Sequence, residues 1–213
     1  MRPNSLLGLG MALAVAATVS SPWTYPLRLL GVAAHELAHA AAAVLTGGEV
    51  VEVAVSWDES GHALTRGGAS WVVLNAGYLG AFALGRGLVA LGGVAPKAAL
   101  GTVSLALLAA TWWSPWSIAR LALAFAAAFT GWCALRLAED RARPAAQALG
   151  LFVACHAVGD AASDFARGDA ALLAARTWVP AVAWSLAWVA CGTIGLAYWA
   201  WTSARRAVHR EAA

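Results

Sequence analysis

Between Ala69 and Leu137 the sequence carries only four charged side chains, Arg86, Lys97, Arg120 and Arg136. A stretch this apolar cannot dress a water-facing surface. In lipid it must satisfy its own backbone N–H and C=O groups, which restricts it to helices or a closed barrel. Its apolar runs are close to the roughly 20 residues that a membrane-crossing helix needs, and far longer than a barrel strand. The rest of the chain has the same character. Of 213 residues, 61% are hydrophobic and 12% charged, with a mean hydropathy of +0.68, whereas soluble domains carry about 25% charge. The composition therefore describes one polytopic membrane domain over 1–213 rather than a soluble domain with an anchor.

Candidate spans fall at 5–20, 27–46, 69–92, 97–112, 116–137, 145–164 and 178–203, which predicts an all-α fold of about six to seven transmembrane helices. The first, "SLLGLGMALAVAATVS", also has the form of a signal peptide, but everything downstream is membrane-like and a retained helix is the better reading. Breaks at Gly92-Gly93, Ser114-Pro115, "EDRARP" (139–144) and "RGDAALLAART" separate the later spans. Trp112, Trp113 and Trp116 gather around Pro115, as residues that favour the headgroup boundary do in a short loop. Residues 49–65 differ: alternating apolar and polar positions run into Asp58-Glu59-Ser60-Gly61, the pattern of a small β-hairpin. Its open edges exclude it from lipid. The basic tail and the loop with Arg136, Arg141 and Arg143 place the C-terminus on the cytoplasmic side. A net charge of +3, spread out, gives no nucleic-acid surface. Cys133, Cys155 and Cys191 are isolated in apolar segments and read as small core hydrophobes.

One apolar helix is interrupted. "GVAAHELAHAAAAVLTGG" (31–48) holds His35, Glu36 and His39 within a single turn and a half. A charge near the middle of a membrane helix costs about 2.5–3.5 kcal/mol on insertion scales, so something must offset these groups. The pattern is HExxH. Residues i and i+4 share a helix face, so both imidazoles can reach one metal ion. A catalytic Zn2+ site takes such nitrogens and leaves one position for water. Glu36 can take that water's proton as general base and pass it to a leaving amine, while zinc lowers the water's pKa towards ~7 and polarises the carbonyl. Were the helix to lie at the interface, headgroups would wet these side chains instead.

A third ligand must come from elsewhere. His156, Asp160 and Asp164 recur at i, i+4 and i+8 in a late apolar segment, and Asp169 follows. A carboxylate completing a two-histidine zinc site is ordinary chemistry; by position Asp160 is the first choice, then Asp164, then Asp169. His156 is placed to orient substrate or stabilise an oxyanion, or simply to pack. Asn75 and Tyr78, in "NAGYLG", are candidate substrate-binding groups, though packing explains them as well. His62 and His209, in a turn and a tail, read as solvated.

Taken in order, "AAHELAHAAAAVLTGGEVVEVAVSWDESGHALT", "NAGYLGAFALG" and "GDAALLAARTWVPAVAWSLAW" resemble the site-2 protease family of intramembrane zinc metalloproteases. The resemblance is to its compact bacterial branch, where HExxH precedes a TGG-like turn, a hairpin and a GYLG helix. The late segment resembles that branch's SDA…T…P…W pattern, with Gly168 in place of Ser. The resemblance implies a helical core holding one zinc ion per chain below the membrane surface. His35 and His39 would be ligands and Glu36 the catalytic acid/base, cutting membrane-anchored proteins once their helices unwind locally. The hairpin would then pair with the extended substrate. The wider family draws its third ligand from an N…P…LDG motif, and no LDG occurs here, which leaves that ligand to the late aspartates. Alanine- and arginine-rich usage with a single lysine, Lys97, points to a GC-rich bacterial genome, and the expected location is the bacterial cytoplasmic membrane. Two other readings compete: an inactive relative that binds or chaperones membrane segments, and a transporter using the Asp160/Asp164 stripe. The second lacks the paired broken helices of an alternating-access site.

Overall fold

The computed structural model describes residues 24–211, so the 5–20 segment lies outside it. Seven helices and one hairpin follow in the order α1 (Tyr25–Leu45), β1 (Glu49–Val55), β2 (Gly61–Arg66), α2 (Ser70–Val94), α3 (Pro96–Trp113), α4 (Ile118–Arg136), α5 (Glu139–Ser163), α6 (Gly168–Thr177) and α7 (Ala181–Glu211). Among the described residues four helices are long and apolar enough to cross a membrane: α2, α4, α5 and the Ala181–Arg205 part of α7. Their outer faces are what lipid requires. Phe125, Phe129 and Trp132 stack along α4 and are more than half exposed, an apolar surface too extended for water.

Gly92-Gly93, read as a break, lies within the last turn of α2, and two longer segments read as breaks are helical as well. Glu139 and Asp140 in the first turn of α5 complement the positive end of the helix dipole, which starts the helix in the charged "EDRARP" stretch. Pro144 lies inside α5 without ending it. In "RGDAALLAART" the residues Ala170 and Leu173 are fully buried, and a ten-residue helix forms around that apolar stripe.

The central crossing is between α2 and α5. A Cβ built on Gly85 would lie 2.5 Å from both Gly150 O and Ala154 N, and one on Gly150 would lie 2.6 Å from Gly85 O. Only glycines let two backbones approach this closely, the device by which membrane helices pack without a hydrophobic drive between them. α1 is enclosed on another side by α3 and α4, where Leu29, Val32, Ala33, Val103, Leu107, Leu123 and Ala127 form one core with Val55 of the hairpin.

The hairpin leaves α1 through Gly47 (φ +84°), whose left-handed conformation glycine adopts without penalty. β1 and β2 pair antiparallel from Glu49↔Arg66 to Val55↔Gly61, with a bulge between Val50 and Glu52. Val53, Ala54 and Val55 are buried, and Ser114 at the end of α3 donates to Val53 O at 2.7 Å. β1 is thus fastened to the helical body. β2 is the more exposed strand, and on it His62 pairs with Glu52 at 3.0 Å in solvent. Trp112 and Trp116 are about four-fifths exposed around the α3–α4 loop, with Arg120 over the Trp116 ring. Cys155 is buried and Cys133 half-buried, but Cys191 is exposed on the outer surface of α7 rather than in the core.

Candidate metal centre

The α1 helix sets the first two donors. His35 and His39 lie one above the other, their ring centroids 4.7 Å apart and their Nε2 atoms 3.0 Å apart. Asp169 reaches both from the first turn of α6: its Oδ2 lies 3.2 Å from His35 Nε2 and 3.0 Å from His39 Nε2. Its arrival depends on the loop before α6. Ala166 (φ +60°) and Gly168 (φ +49°) both adopt left-handed conformations there, which turns the chain back after α5. Ser185 Oγ of α7 accepts from the Ala166 backbone N–H at 3.0 Å and holds that turn. Leu173 and Ala170 then seat α6 against Tyr78, Ala161 and Trp188.

Among the described residues, His35, His39 and Asp169 are the one group of three or more potential ligands that converges. Asp160 and Asp164 do not join it. Asp164 instead accepts from Tyr78 Oη at 3.2 Å, and Asp160 gives its backbone carbonyl to the end of α5. Asp160 lies in the last turn of α5 and Asp164 caps its end, but it is α6 that folds back over α1.

The donor set fits a metal ion. A tetrahedron with Zn–N and Zn–O bonds of about 2.0–2.1 Å has edges of about 3.3 Å, and the three observed separations are 3.0 to 3.2 Å. His39 Nδ1 is 2.6 Å from Val73 O. That carbonyl can only accept, so Nδ1 carries the hydrogen and the Nε2 lone pair faces the cluster. Three electron-pair donors pointing at one place repel one another unless a cation or protons lie between them.

Glycine walls off this cluster. A Cβ on Gly77 of α2 would stand 2.5 Å from His35 Nε2 and 2.6 Å from His39 Nε2. "NAGYLG" therefore supplies a bare backbone face where any side chain would fill the ligand cradle. Tyr78 packs edge-on against His35 with centroids 4.5 Å apart and lies against Trp188 at 4.8 Å. Asn75 accepts from Trp188 Nε1 at 2.9 Å and donates to Trp71 O at 2.8 Å, so its amide is occupied within the chain. Glu36 is 6% exposed, within electrostatic range of His35, His39 and Asp169. Its Oε1 lies under the first residue of β2: a Cβ on Gly61 would be 2.7 Å from it. His156 is buried one turn below His35, its ring pressed on Gly31 and beside Phe152. The His209 side chain lies outside the described residues.

Sequence reasoning did not single out Gly77, Gly61 or the Val73 carbonyl, since none carries a reactive side chain. An apolar hollow of about 600 Å3, lined by Leu29, Leu107, Phe129 and Phe152 among others, contains none of the four polar residues of the centre. The site is defined by convergent ligands rather than by a cavity. Neither a curated protein nor a solved structure is significantly similar to the chain. A family model does match: residues 8–200, spanning His35, Glu36, His39 and Asp169 together with the hairpin, fit the model described as Peptidase M50B-like. The chain belongs to this Peptidase M50B-like, site-2-protease-like family.

Proposed function

We propose that the protein is an intramembrane zinc metalloendopeptidase that hydrolyses peptide bonds of membrane-anchored proteins. The observation that carries this reading is the meeting of His35, His39 and Asp169 within 3.2 Å of one another, with Glu36 buried on the same helix turn. Family membership points to a metallopeptidase, and the donor set is one that zinc favours. His35, His39 and Asp169 would hold one Zn2+, which when bound supplies a Lewis acid for the scissile carbonyl.

The chain's own groups do the rest. Glu36 accepts a proton from the attacking water and returns it to the leaving amine nitrogen. Its burial under Gly61 keeps bulk water from competing for that proton. Val73 O fixes the His39 tautomer, and Tyr78 holds the His35 ring edge-on. β2 offers an exposed edge whose first residue touches Glu36, and an extended substrate segment adding to it would pass the carboxylate. With the centre carried on a chain of membrane-spanning helices, the substrates in this reading are membrane-anchored proteins whose helices unwind locally before they are cut. The six to seven spans, a bacterial cytoplasmic membrane and a cytoplasmic C-terminus belong to the same reading.

The test is cleavage of a single-span reporter by the purified protein in liposomes. Wild type should cut it, and a zinc chelator should stop it. Glu36→Gln should reduce the rate at least a hundredfold while keeping one zinc per chain. Undiminished cleavage by Glu36→Gln would overturn the proposal.

A further inference from the structure

We infer that the ion pair between Arg28 and Glu59 is a positioning device for Glu36, clamping the hairpin turn onto α1 so that Gly61 stays seated against the carboxylate. The inference rests on the function proposed above. Arg28 projects from α1 about two turns before Glu36, and its guanidinium meets Glu59 at the tip of the hairpin. Both side chains are about one-fifth exposed, so solvent screens the pair less than it would a surface one. A second contact joins the same two places: the rings of Tyr25 and Trp57 lie 4.8 Å apart. The first turn of α1 therefore holds the hairpin turn at two residues, Trp57 and Glu59.

That turn does not hold itself in this shape without strain. Glu59 adopts φ +66°, a left-handed conformation uncommon for residues with a side chain. Ser56 N–H donates to Ser60 O at 2.8 Å, and Asp58 accepts from both the N–H and the hydroxyl of Ser60. The next residue is Gly61, whose missing Cβ would stand 2.7 Å from Glu36 Oε1 and 2.9 Å from Glu36 Cγ. The backbone of β2 is thus the wall that fixes the Glu36 side chain. If the turn swings away, the carboxylate gains rotamers and the β2 edge loses its register with it. A general base has to stay within hydrogen-bond reach of its proton, so release of the clamp lowers turnover without touching the metal ligands. Arg28 and Glu59 act through Gly61 and are positioning residues.

The experiment compares Glu59→Gln, Arg28→Gln and the exchanged pair Arg28→Glu/Glu59→Arg, each full-length in lipid nanodiscs. The substrate is a single-span peptide with a fluorophore and quencher on either side of its membrane segment. The single variants should bind one zinc per chain, lower kcat at least fivefold with KM changed less than threefold, and speed hydrogen exchange at Ser60 and Gly61 at least tenfold. The exchanged pair should recover most of both. A smaller fall in kcat, or an exchanged pair no better than the single variants, overturns the clamp. Should wild type fail to cut, the functional proposal falls, and the clamp is still decided by exchange: unaltered exchange at Ser60 and Gly61 in Glu59→Gln overturns it.

Discussion

Gly77→Ala places one methyl group where the structure has no room for it. The new Cβ would stand 2.5 Å from His35 Nε2 and 2.6 Å from His39 Nε2, against about 3.5–4.0 Å for relaxed contact between non-bonded atoms. Relief takes a displacement of about 1 Å, either of α2 away from α1 or of both imidazoles away from Asp169. Metal sites tolerate only about 0.2 Å in ligand distance, so the methyl and a well-formed centre cannot coexist. Overpacking of this kind costs about 1–3 kcal/mol. Since the methyl meets the ligands directly, that cost falls on the metal-bound state, and at about 1.4 kcal/mol per tenfold it corresponds to about 5- to 150-fold weaker zinc binding. The assay is competition for zinc against a chromophoric chelator, in detergent. Gly87→Ala, on the same helix with nothing within 4 Å of its Cβ position, is the control. Its affinity should equal that of wild type. Equal zinc affinity in Gly77→Ala and Gly87→Ala would refute the placement of α2 over the centre.

Other perturbations separate packing from chemistry. Gly85→Ala drives a methyl into Ala154 N and Gly150 O at 2.5 Å, both backbone atoms; it should destabilise the protein by about 1–3 kcal/mol in thermal or denaturant unfolding, whereas Gly101→Ala, which faces open space, should not. Tyr78→Phe keeps the ring against His35 but removes the hydrogen bond to Asp164. It should lower stability by about 0.5–1.5 kcal/mol and leave zinc at one per chain, so loss of zinc there would assign Tyr78 a larger role than packing. Ser114→Ala removes the hydroxyl that holds Val53 O and should raise hydrogen exchange in β1 while α2 stays protected.

How much of this is legible without coordinates depends on whether a signal is local. The long apolar helices are, because lipid demands about twenty apolar residues whatever their neighbours, and so is the hairpin, whose alternation ends in Asp58-Glu59-Ser60-Gly61. The start of α5 is not: its charges and Pro144 read as a break, yet Glu139 and Asp140 sit where the helix dipole favours them. α6 is hidden for a related reason, since its apolar stripe is only Ala170 and Leu173 wide. His35, Glu36 and His39 are legible because i, i+4 spacing fixes their geometry within one helix. The third donor is a tertiary fact. Spacing alone would put Asp160 and Asp164 on one helical face, but nothing in spacing says which face meets α1. Asp169 arrives through the turn at Ala166 and Gly168 and the Ser185 hydrogen bond. The one sequence signal for it is "GDA", the stretch resembling an SDA motif, which carries Asp169 itself.

Zinc stoichiometry of three purified variants tests the central claim most directly. Wild type and Asp160→Asn should each hold one zinc per chain, and Asp169→Asn should lose it or bind it at least tenfold more weakly. Full zinc in Asp169→Asn with loss in Asp160→Asn would contradict the account, and would move the centre from α6 to α5.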